Sequence, residues 1–304
     1  MMTMWGMLIA IYLFLAGISA GSYITGILCD WYVKDERLIK LRKAAIWLAT
    51  PVLGLGLGIL IFDAEAGLFN PWRMAFLFNN LPFSMMSTGT LIITLFFFLL
   101  VWHGWLEFKN KFVPNWVKVT GLVLALGTAA YTGLLIGLAQ VPFWNTPMLP
   151  ILFSVSGVSA GIAAAFIAGV MWDKSIIEFI IPLKKVHLGL LVFEAFLLFS
   201  LLYVAASRDV TAAQSVSMIL TGELALWFWG GLVFIGLVIP ITSESIELIK
   251  HKQVEPPLDL NLQHFSAGKG EVMKLYFVEG ATIFGGFCLR LIIISAAIPI
   301  NVML

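Results

Sequence analysis

The sequence has little charge and almost no cysteine. Of its 304 residues, 12% are charged and 61% are hydrophobic, whereas a soluble domain carries about 25% charged residues. The shortage of charge excludes a soluble globular protein. The two cysteines, Cys29 and Cys288, form neither a CxxC pair nor a secreted disulfide framework. We therefore expect no iron-sulfur cluster to be held by this protein alone.

A large net charge and a hydrophilic domain are missing as well. The formal net charge of +1 gives no reason to expect nucleic acid as a partner. The longest hydrophilic stretch, residues 243–274, is expected to be a loop and contains no nucleotide-binding motif. The first apolar segment lacks a basic start and exceeds the length of a signal-peptide core, so we expect it to be retained as a helix.

Long apolar stretches are what the sequence has instead. Eight of them are long enough to cross a hydrocarbon layer of about 30 Å. The sequence therefore predicts an all-α integral membrane protein, a single polytopic domain over residues 1–304, with its helices in two four-helix units. The predicted spans are residues 4–28, 44–62, 83–105, 116–139, 150–172, 186–205, 218–241 and 276–298.

The lysine and arginine residues are distributed unevenly between the loops. One set of alternate loops holds most of the 18 Lys and Arg residues, and the other set holds only Arg73 and Arg208. Because these residues accumulate on the cytoplasmic side of a membrane, the sequence predicts that both termini lie on the outer side.

A weak internal repeat suggests how the spans are organised. Residues 13–21 of the first span resemble residues 153–161 of the fifth, and both segments run from outside to inside. Four helices separate them, which fits a parallel duplication of a four-helix unit. Two independent faces of small residues, each used for close helix packing, would give the same pattern.

Arg290 is the most unusual ionisable residue in the spans, since a charge in hydrocarbon costs several kcal/mol unless it is paired or faces water. It falls in the outer half of the eighth span. Asp63 and Glu223, at the outer ends of the second and seventh spans, are its expected counter-charges. Arg290 is also predicted to belong to a quinone-binding site, where it would fix the position of Asp63 or bias the charge of the quinol.

Further acids and a histidine lie nearer the inner side. His187 and Glu194 are seven residues apart and so share one face of the sixth span. Together with Asp173 and Glu279 they predict a path that carries protons from the cytoplasm toward the middle of the membrane. The alternative is that Glu194 is a protonated packing residue.

Tyr131 is a phenol deep in an almost uncharged span, where its hydroxyl needs a hydrogen-bond partner that lipid does not supply. A quinone carbonyl and a neighbouring helix are the two candidate partners. Tyr12 and Asp63 belong to other helices but fall in the same outer half. Donors beside an apolar slot would suit a quinone, and Asp63 would accept a proton when quinol is oxidised.

An ordered set of motifs resembles the NrfD/PsrC family, the quinone-linked membrane subunits of polysulfide reductase and related complexes. The resemblance covers nearly the whole sequence. It is carried by residues 63–73, Asn79, residues 84–87 with Gly89, Tyr131-Thr132-Gly133, residues 147–153 and 156–161, His187, Glu194, residues 228–231, Pro240, Gly285-Gly286 and Leu289-Arg290.

This resemblance implies a multi-pass subunit in the cytoplasmic membrane of a prokaryote, without haem or clusters, that exchanges electrons and protons with menaquinone or ubiquinone near the outer face. The implied partners are a ferredoxin-like subunit with several iron-sulfur clusters and a subunit carrying a molybdenum or tungsten bis-pterin. The family's quinone-contacting tyrosine corresponds to Tyr131, and its polar position in the first helix corresponds to Tyr12. No resident metal is expected.

Two other functions fit parts of the pattern. A secondary transporter would explain the repeat and the intramembrane charges, but Pro51 and Pro150 both lie near helix ends rather than at matching breaks. A haem-bearing anchor would need axial histidines on facing helices. Only His103 and His187 fall within or at the ends of spans, and both are at the inner edge.

Overall fold

The structure, a computed structural model, describes residues 7–32, 36–63, 84–139, 141–253 and 268–298. Within these ranges the protein is all-helical and contains no strand. Eight helical segments there are long and apolar enough to cross a membrane. The predicted fold class, an all-α membrane protein with eight spans, is therefore confirmed.

Nine α-helices account for most of the described residues. Short 3₁₀ and π segments also occur: the 3₁₀ turn Lys174–Glu178 precedes α6, and the π-helical segment Trp227–Val238 runs directly into α8. The α-helices are α1 (Met7–Tyr32), α2 (Glu36–Asp63), α3 (Met85–Phe108), α4 (Asn115–Gly137), α5 (Met148–Trp172), α6 (Ile181–Arg208), α7 (Val210–Leu220), α8 (Ile239–Gln253) and α9 (Lys269–Ser295).

The spans run alternately up and down, so their ends form two opposite surfaces. We call the end where α1 begins and α9 ends the terminal end. The opposite end carries Lys40, Lys109, Lys174 and Lys250 and is called the basic end. The described parts of the loops predicted to be cytoplasmic lie at the basic end.

The helices form two four-membered rings in the same sequence order. In the first unit α1 packs on α2 and α4, and α3 closes the ring between them. In the second unit α5 packs on α6 and α9, and the π segment with α8 closes the ring. Helices α1 and α5 lie at the centre, where α1 also contacts α9. The two predicted four-helix units are thus present.

The two halves of the internal repeat pack against each other. A Cβ placed at Gly17 would lie 3.3 Å from the Cα of Gly157, and one at Gly21 would lie 2.8 Å from the Cα of Val158. Ser22 donates a hydrogen bond to the carbonyl of Gly161 at 3.1 Å. Equivalent glycines of α1 and α5 therefore meet at one helix crossing. A contact between equivalent positions of the repeat favours the parallel duplication. It also shows that the two faces of small residues pack against each other.

The seventh span differs from the prediction. The apolar pattern predicts a crossing over residues 218–241, but α7 ends at Leu220 and the crossing segment is Trp227–Lys250. The backbone turns at Thr221 and Gly222, whose N–H groups both bond to the carbonyl of Ser217. As a result, α8 continues through part of the stretch predicted to be a loop. The other seven predicted spans overlap their helices.

The predicted orientation can be tested with single cysteines, because Cys29 and Cys288 are both buried. Asn145 is exposed near the terminal end and Lys109 is exposed at the basic end. In intact cells, a membrane-impermeant thiol reagent is expected to label Asn145→Cys, and to label Lys109→Cys only after permeabilisation. The reverse labelling pattern would show that the termini face the cytoplasm.

Candidate functional site

Tyr12 and Tyr131 form a buried pair inside the first four-helix unit. Their phenol groups interact with each other, and the two residues are 3% and 4% exposed. Tyr12 is five residues from the start of α1 and Tyr131 is six from the end of α4, so both lie about 8–9 Å inside the terminal end. The structure brings together two of the residues predicted from sequence.

The Tyr131 ring of this pair packs against the backbone of α3 at Gly89. A Cβ at Gly89 would overlap the Cε2, Cζ and Cδ2 atoms of the Tyr131 ring. The ring therefore lies flat against the α3 backbone. Any side chain at position 89 would have to displace it.

The third residue of the predicted quinone site is only partly described. Asp63 is the last residue of α2 and its side chain lies outside the described residues, as do residues 64–83 that follow it. The proposed proximity of Asp63 to the tyrosine pair therefore stays a prediction.

Arg290 lies between the two four-helix units and is fully buried. Its guanidinium donates to the carbonyl of Gly286 at 2.9 Å, and to the Ser156 hydroxyl and the Phe153 carbonyl at 3.3 Å. It also packs over the rings of Phe14 and Phe153, with its Cζ 5.4 and 5.2 Å from their centroids. The expected ion pair with Glu223 is wrong, because Glu223 is exposed and Arg290 is enclosed by α1, α5 and α9.

A second buried cluster surrounds His187 in the second four-helix unit. The Nδ1 of His187 is 2.7 Å from Oε1 of Glu244 and 3.7 Å from Oε2 of Glu279. Its Nε2 is 3.2 Å from the Ser159 hydroxyl. All four side chains are at most 1% exposed. Both carboxyl oxygens of Glu279 lack a hydrogen-bond partner among the described residues.

The His187 cluster continues toward Arg290. Glu194, one of the predicted path residues, interacts electrostatically with Ser156, Arg290 and His187. Ser156 in turn accepts from Arg290. The structure thus joins three of the four predicted path residues into one buried polar track. Its members are Glu244, Glu279, His187, Ser159, Glu194, Ser156 and Arg290.

Asp173, the fourth predicted path residue, lies apart from this track. It caps the 3₁₀ turn by accepting from the Ser175 N–H at 2.9 Å and forms an ion pair with Lys40 at 2.6 Å. The Lys40 ammonium and the Ser175 N–H lower the pKa of Asp173 to about 2. A carboxyl with that pKa stays ionised at neutral pH. Its described contacts make it a surface capping residue.

The other membrane histidine belongs to a separate cluster in the first four-helix unit. The Nδ1 of His103 is 3.0 Å from the Tyr23 hydroxyl, and its Nε2 is 3.9 Å from Glu107. Glu107 is also 3.1 Å from Arg42. His103 and His187 thus lie in different units, His103 beside Glu107 and His187 beside Glu244 and Glu279.

Comparison with known proteins agrees with this architecture. A family model described as "Polysulphide reductase, NrfD" matches residues 1–254. The protein belongs to the NrfD family. The resemblance that the sequence motifs indicated is therefore confirmed.

Several relatives in the NrfD family match over most of their length. The C subunit of polysulfide reductase from Wolinella succinogenes is 34% identical, with 78% of this protein and 81% of the relative covered. The protein NrfD homolog of Haemophilus influenzae is 32% identical, with 96% and 94% covered. Protein NrfD of Escherichia coli is 30% identical, with 78% and 83% covered.

Glu244 is the residue of the track that sequence reasoning missed in this NrfD-family protein. The hydrophilic stretch begins at residue 243, and so its composition predicts a loop at Glu244. One feature of the sequence does indicate that Glu244 is buried. It lies seven residues after Leu237, which is buried, and this spacing places both residues on one helix face. Ser159 stands out in the sequence only as part of the small-residue repeat, and nothing in its neighbours indicates a contact with His187.

Proposed function

We propose that this protein is the quinone-reactive membrane subunit of a multisubunit respiratory oxidoreductase. The observation that carries the proposal is the pair of interacting tyrosines, Tyr12 and Tyr131, buried near the terminal end of the first four-helix unit. Support comes from the relative named as the C subunit of polysulfide reductase, a name that describes one subunit of a larger reductase.

The tyrosine pair has the donor that a quinone carbonyl needs. Two neighbouring phenols share at most one O–H···O hydrogen bond at a time, so that bond uses only one of their two O–H donors. The second O–H is then free to point at a carbonyl or quinol oxygen, and it does so in surroundings where hydrogen bonds are not weakened by water. Apolar residues of α1, α3 and α4 around the pair suit a quinone ring and tail.

The reaction at this site consists of quinol giving up two electrons and two protons to become quinone. The electrons pass to a peripheral iron-sulfur subunit at the terminal end, and through it to a molybdenum or tungsten bis-pterin subunit. Asp63, which ends α2 at the terminal end, is the proposed acceptor for the protons. The proposed orientation places this exchange at the outer face of the cytoplasmic membrane.

The buried polar track is a second, separate proton route in this proposal: quinol oxidation only releases protons, and the track conducts further protons from the cytoplasmic side toward the outer side during turnover. Chains of acids and histidines inside membranes commonly carry protons. At its basic end the track adjoins Lys184, Lys274 and Glu247, where Lys274 is 3.6 Å from Glu247. The route then runs through Glu279 and His187 to Glu194, and ends at Ser156 and Arg290.

Glu194→Gln tests this route while leaving the tyrosine pair unchanged. In proteoliposomes we expect quinol turnover within about 2-fold of wild type but loss of proton uptake from the basic end, because an amide cannot release a proton. Internal and external pH dyes measure the uptake. Glu223→Gln, an exposed acid at the terminal end, is the matched control. Unchanged uptake in Glu194→Gln would refute the route without affecting the quinone site.

Gly89→Ala tests the quinone site through the position of the Tyr131 ring. The added methyl group overlaps the ring, so the ring must move by about an ångström or more. We expect quinol turnover of the assembled complex to fall about 10- to 100-fold. Gly104→Ala on the same helix is the control, since among the described residues its Cβ would meet only the Thr50 hydroxyl, at 3.9 Å. Equal turnover in the two variants would show that the position of the Tyr131 ring does not affect the reaction.

A further inference from the structure

A cavity of about 360 Å³ opens at the basic end of the first four-helix unit, far from the tyrosine pair. Its volume falls in the usual range for small-molecule pockets, about 300–1,000 Å³. Its walls come from the ends of α1, α2, α3 and α4. Charged side chains dominate the lining: the cations are Arg42, Lys43, Lys111 and Lys118, and the carboxylates are Asp30 and Glu107.

Two of the four cations already neutralise both carboxylates. Arg42 and Lys118 each form an ion pair with one oxygen of Asp30, the second at 2.5 Å. Arg42 also lies 3.1 Å from Glu107. These groups are drawn inward, with the side chains of Arg42 and Lys118 only 22% and 14% exposed.

The remaining two cations give the cavity an excess positive charge. Among the residues whose side chains are described, no carboxylate lies within ion-pair distance of Lys43 or Lys111. The Lys111 ammonium lies 5.2 Å from the centroid of the Trp105 ring. Asn110, which takes a left-handed conformation with φ 49°, adds an uncharged amide to the lining. The site therefore attracts an anion and offers it neutral donors.

The cavity also has the apolar rim that a lipid requires. Phe112, which lines it, is 81% exposed, and Trp105 and Trp116 beside it are 51% and 61% exposed. These aromatic residues lie where α3 ends and α4 begins, which is the level at which aromatic belts meet lipid headgroups. A free anion in water would gain no binding free energy from these aromatic residues, whereas the acyl chains of a lipid would pack on them.

We propose that this cavity binds the phosphate-bearing headgroup of an anionic phospholipid, held by Lys43 and Lys111 with its acyl chains along Phe112. Basic pockets between membrane helices bind anionic headgroups in this way. A phosphate diester would halve the excess of positive charge. The proposal goes beyond the proposed quinone function and does not depend on it.

The test is lipid retention measured by native mass spectrometry of the protein released from nanodiscs. We expect wild type to retain phosphatidylglycerol but not phosphatidylcholine. Lys43→Gln/Lys111→Gln is expected to lower retention of phosphatidylglycerol roughly 30-fold. Lys174→Gln/Lys185→Gln removes the same charge from exposed positions at the same end and should retain the lipid. Single Lys111→Gln, in an exposed loop, should give an intermediate loss without affecting folding.

Two results would overturn the proposal. Equal retention by the two double variants would mean that the basic residues serve only to orient the protein. Complete displacement of the lipid by inorganic phosphate or glycerol 3-phosphate at millimolar concentration would mean that the cavity is a site for a free anion. The lipid proposal is supported if neither soluble anion displaces phosphatidylglycerol and the Lys43→Gln/Lys111→Gln variant loses it.

Discussion

Tyr131→Phe is expected to lower quinol-dependent turnover of the assembled complex by about 10²- to 10⁴-fold, the range for losing a positioned proton donor or acceptor. The substitution removes one oxygen atom from a ring that is 4% exposed and keeps the shape that fits against Gly89. It also removes the partner of the Tyr12 hydroxyl. Oxidation of a soluble naphthoquinol analogue, followed spectrophotometrically, measures the loss.

Tyr203→Phe is the matched control for this experiment. Tyr203 lies five residues from the end of α6 at the terminal end and is 78% exposed. Its hydroxyl has no hydrogen-bond partner among the described residues. Its loss should leave turnover unchanged. Assembly of both variants is checked by size-exclusion chromatography. Undiminished turnover in an assembled Tyr131→Phe complex would show that the Tyr131 hydroxyl takes no part in the reaction.

Gly21→Val is expected to prevent the two four-helix units from packing together. A Cβ at position 21 would lie 2.5 Å from the carbonyl oxygen of Gly157 and 2.8 Å from the Cα of Val158. These are backbone atoms of α5 that no side-chain rotation can move. Overpacking of a core costs about 1–3 kcal/mol and occasionally more, and membrane helices that meet at small residues depend on this close approach. We expect about 3 kcal/mol or more of destabilisation.

The loss is measured as the amount of monodisperse protein and its midpoint of thermal unfolding in detergent. Gly58→Val on α2 is the control, because no atom of the described residues lies within 4 Å of its Cβ position. Wild-type stability for Gly21→Val would mean that α1 and α5 do not cross at these glycines. The central position of the repeat in the fold would then be wrong.

Much of the fold could be predicted because hydrophobic length and loop charge are local properties of the sequence. Apolar runs placed seven spans near their observed helices. The seventh was misplaced because α7 is apolar and short, and residues 218–241 join its end to the π segment across the turn at Gly222. Mean apolarity does not distinguish a continuous helix from two helices that meet at a turn.

The tyrosine pair was predictable for a different reason. A phenol in lipid needs a partner, and topology put Tyr12 and Tyr131 at the same depth. The surroundings of Arg290 were not predictable, since its main acceptors are the Gly286 and Phe153 carbonyls rather than an acid. Which backbone carbonyls face a buried guanidinium depends on how α5 and α9 pack. The order of residues along either helix does not show that packing directly.

The most direct test of a quinone site at the tyrosine pair is photoaffinity labelling of the assembled complex with an azidoquinone, followed by peptide mapping. The account predicts labelled peptides from α1 around Tyr12 and from α4 around Tyr131, with labelling suppressed by excess unmodified quinone. Specific labelling confined to the basic end, or to the second four-helix unit around His187, would contradict it.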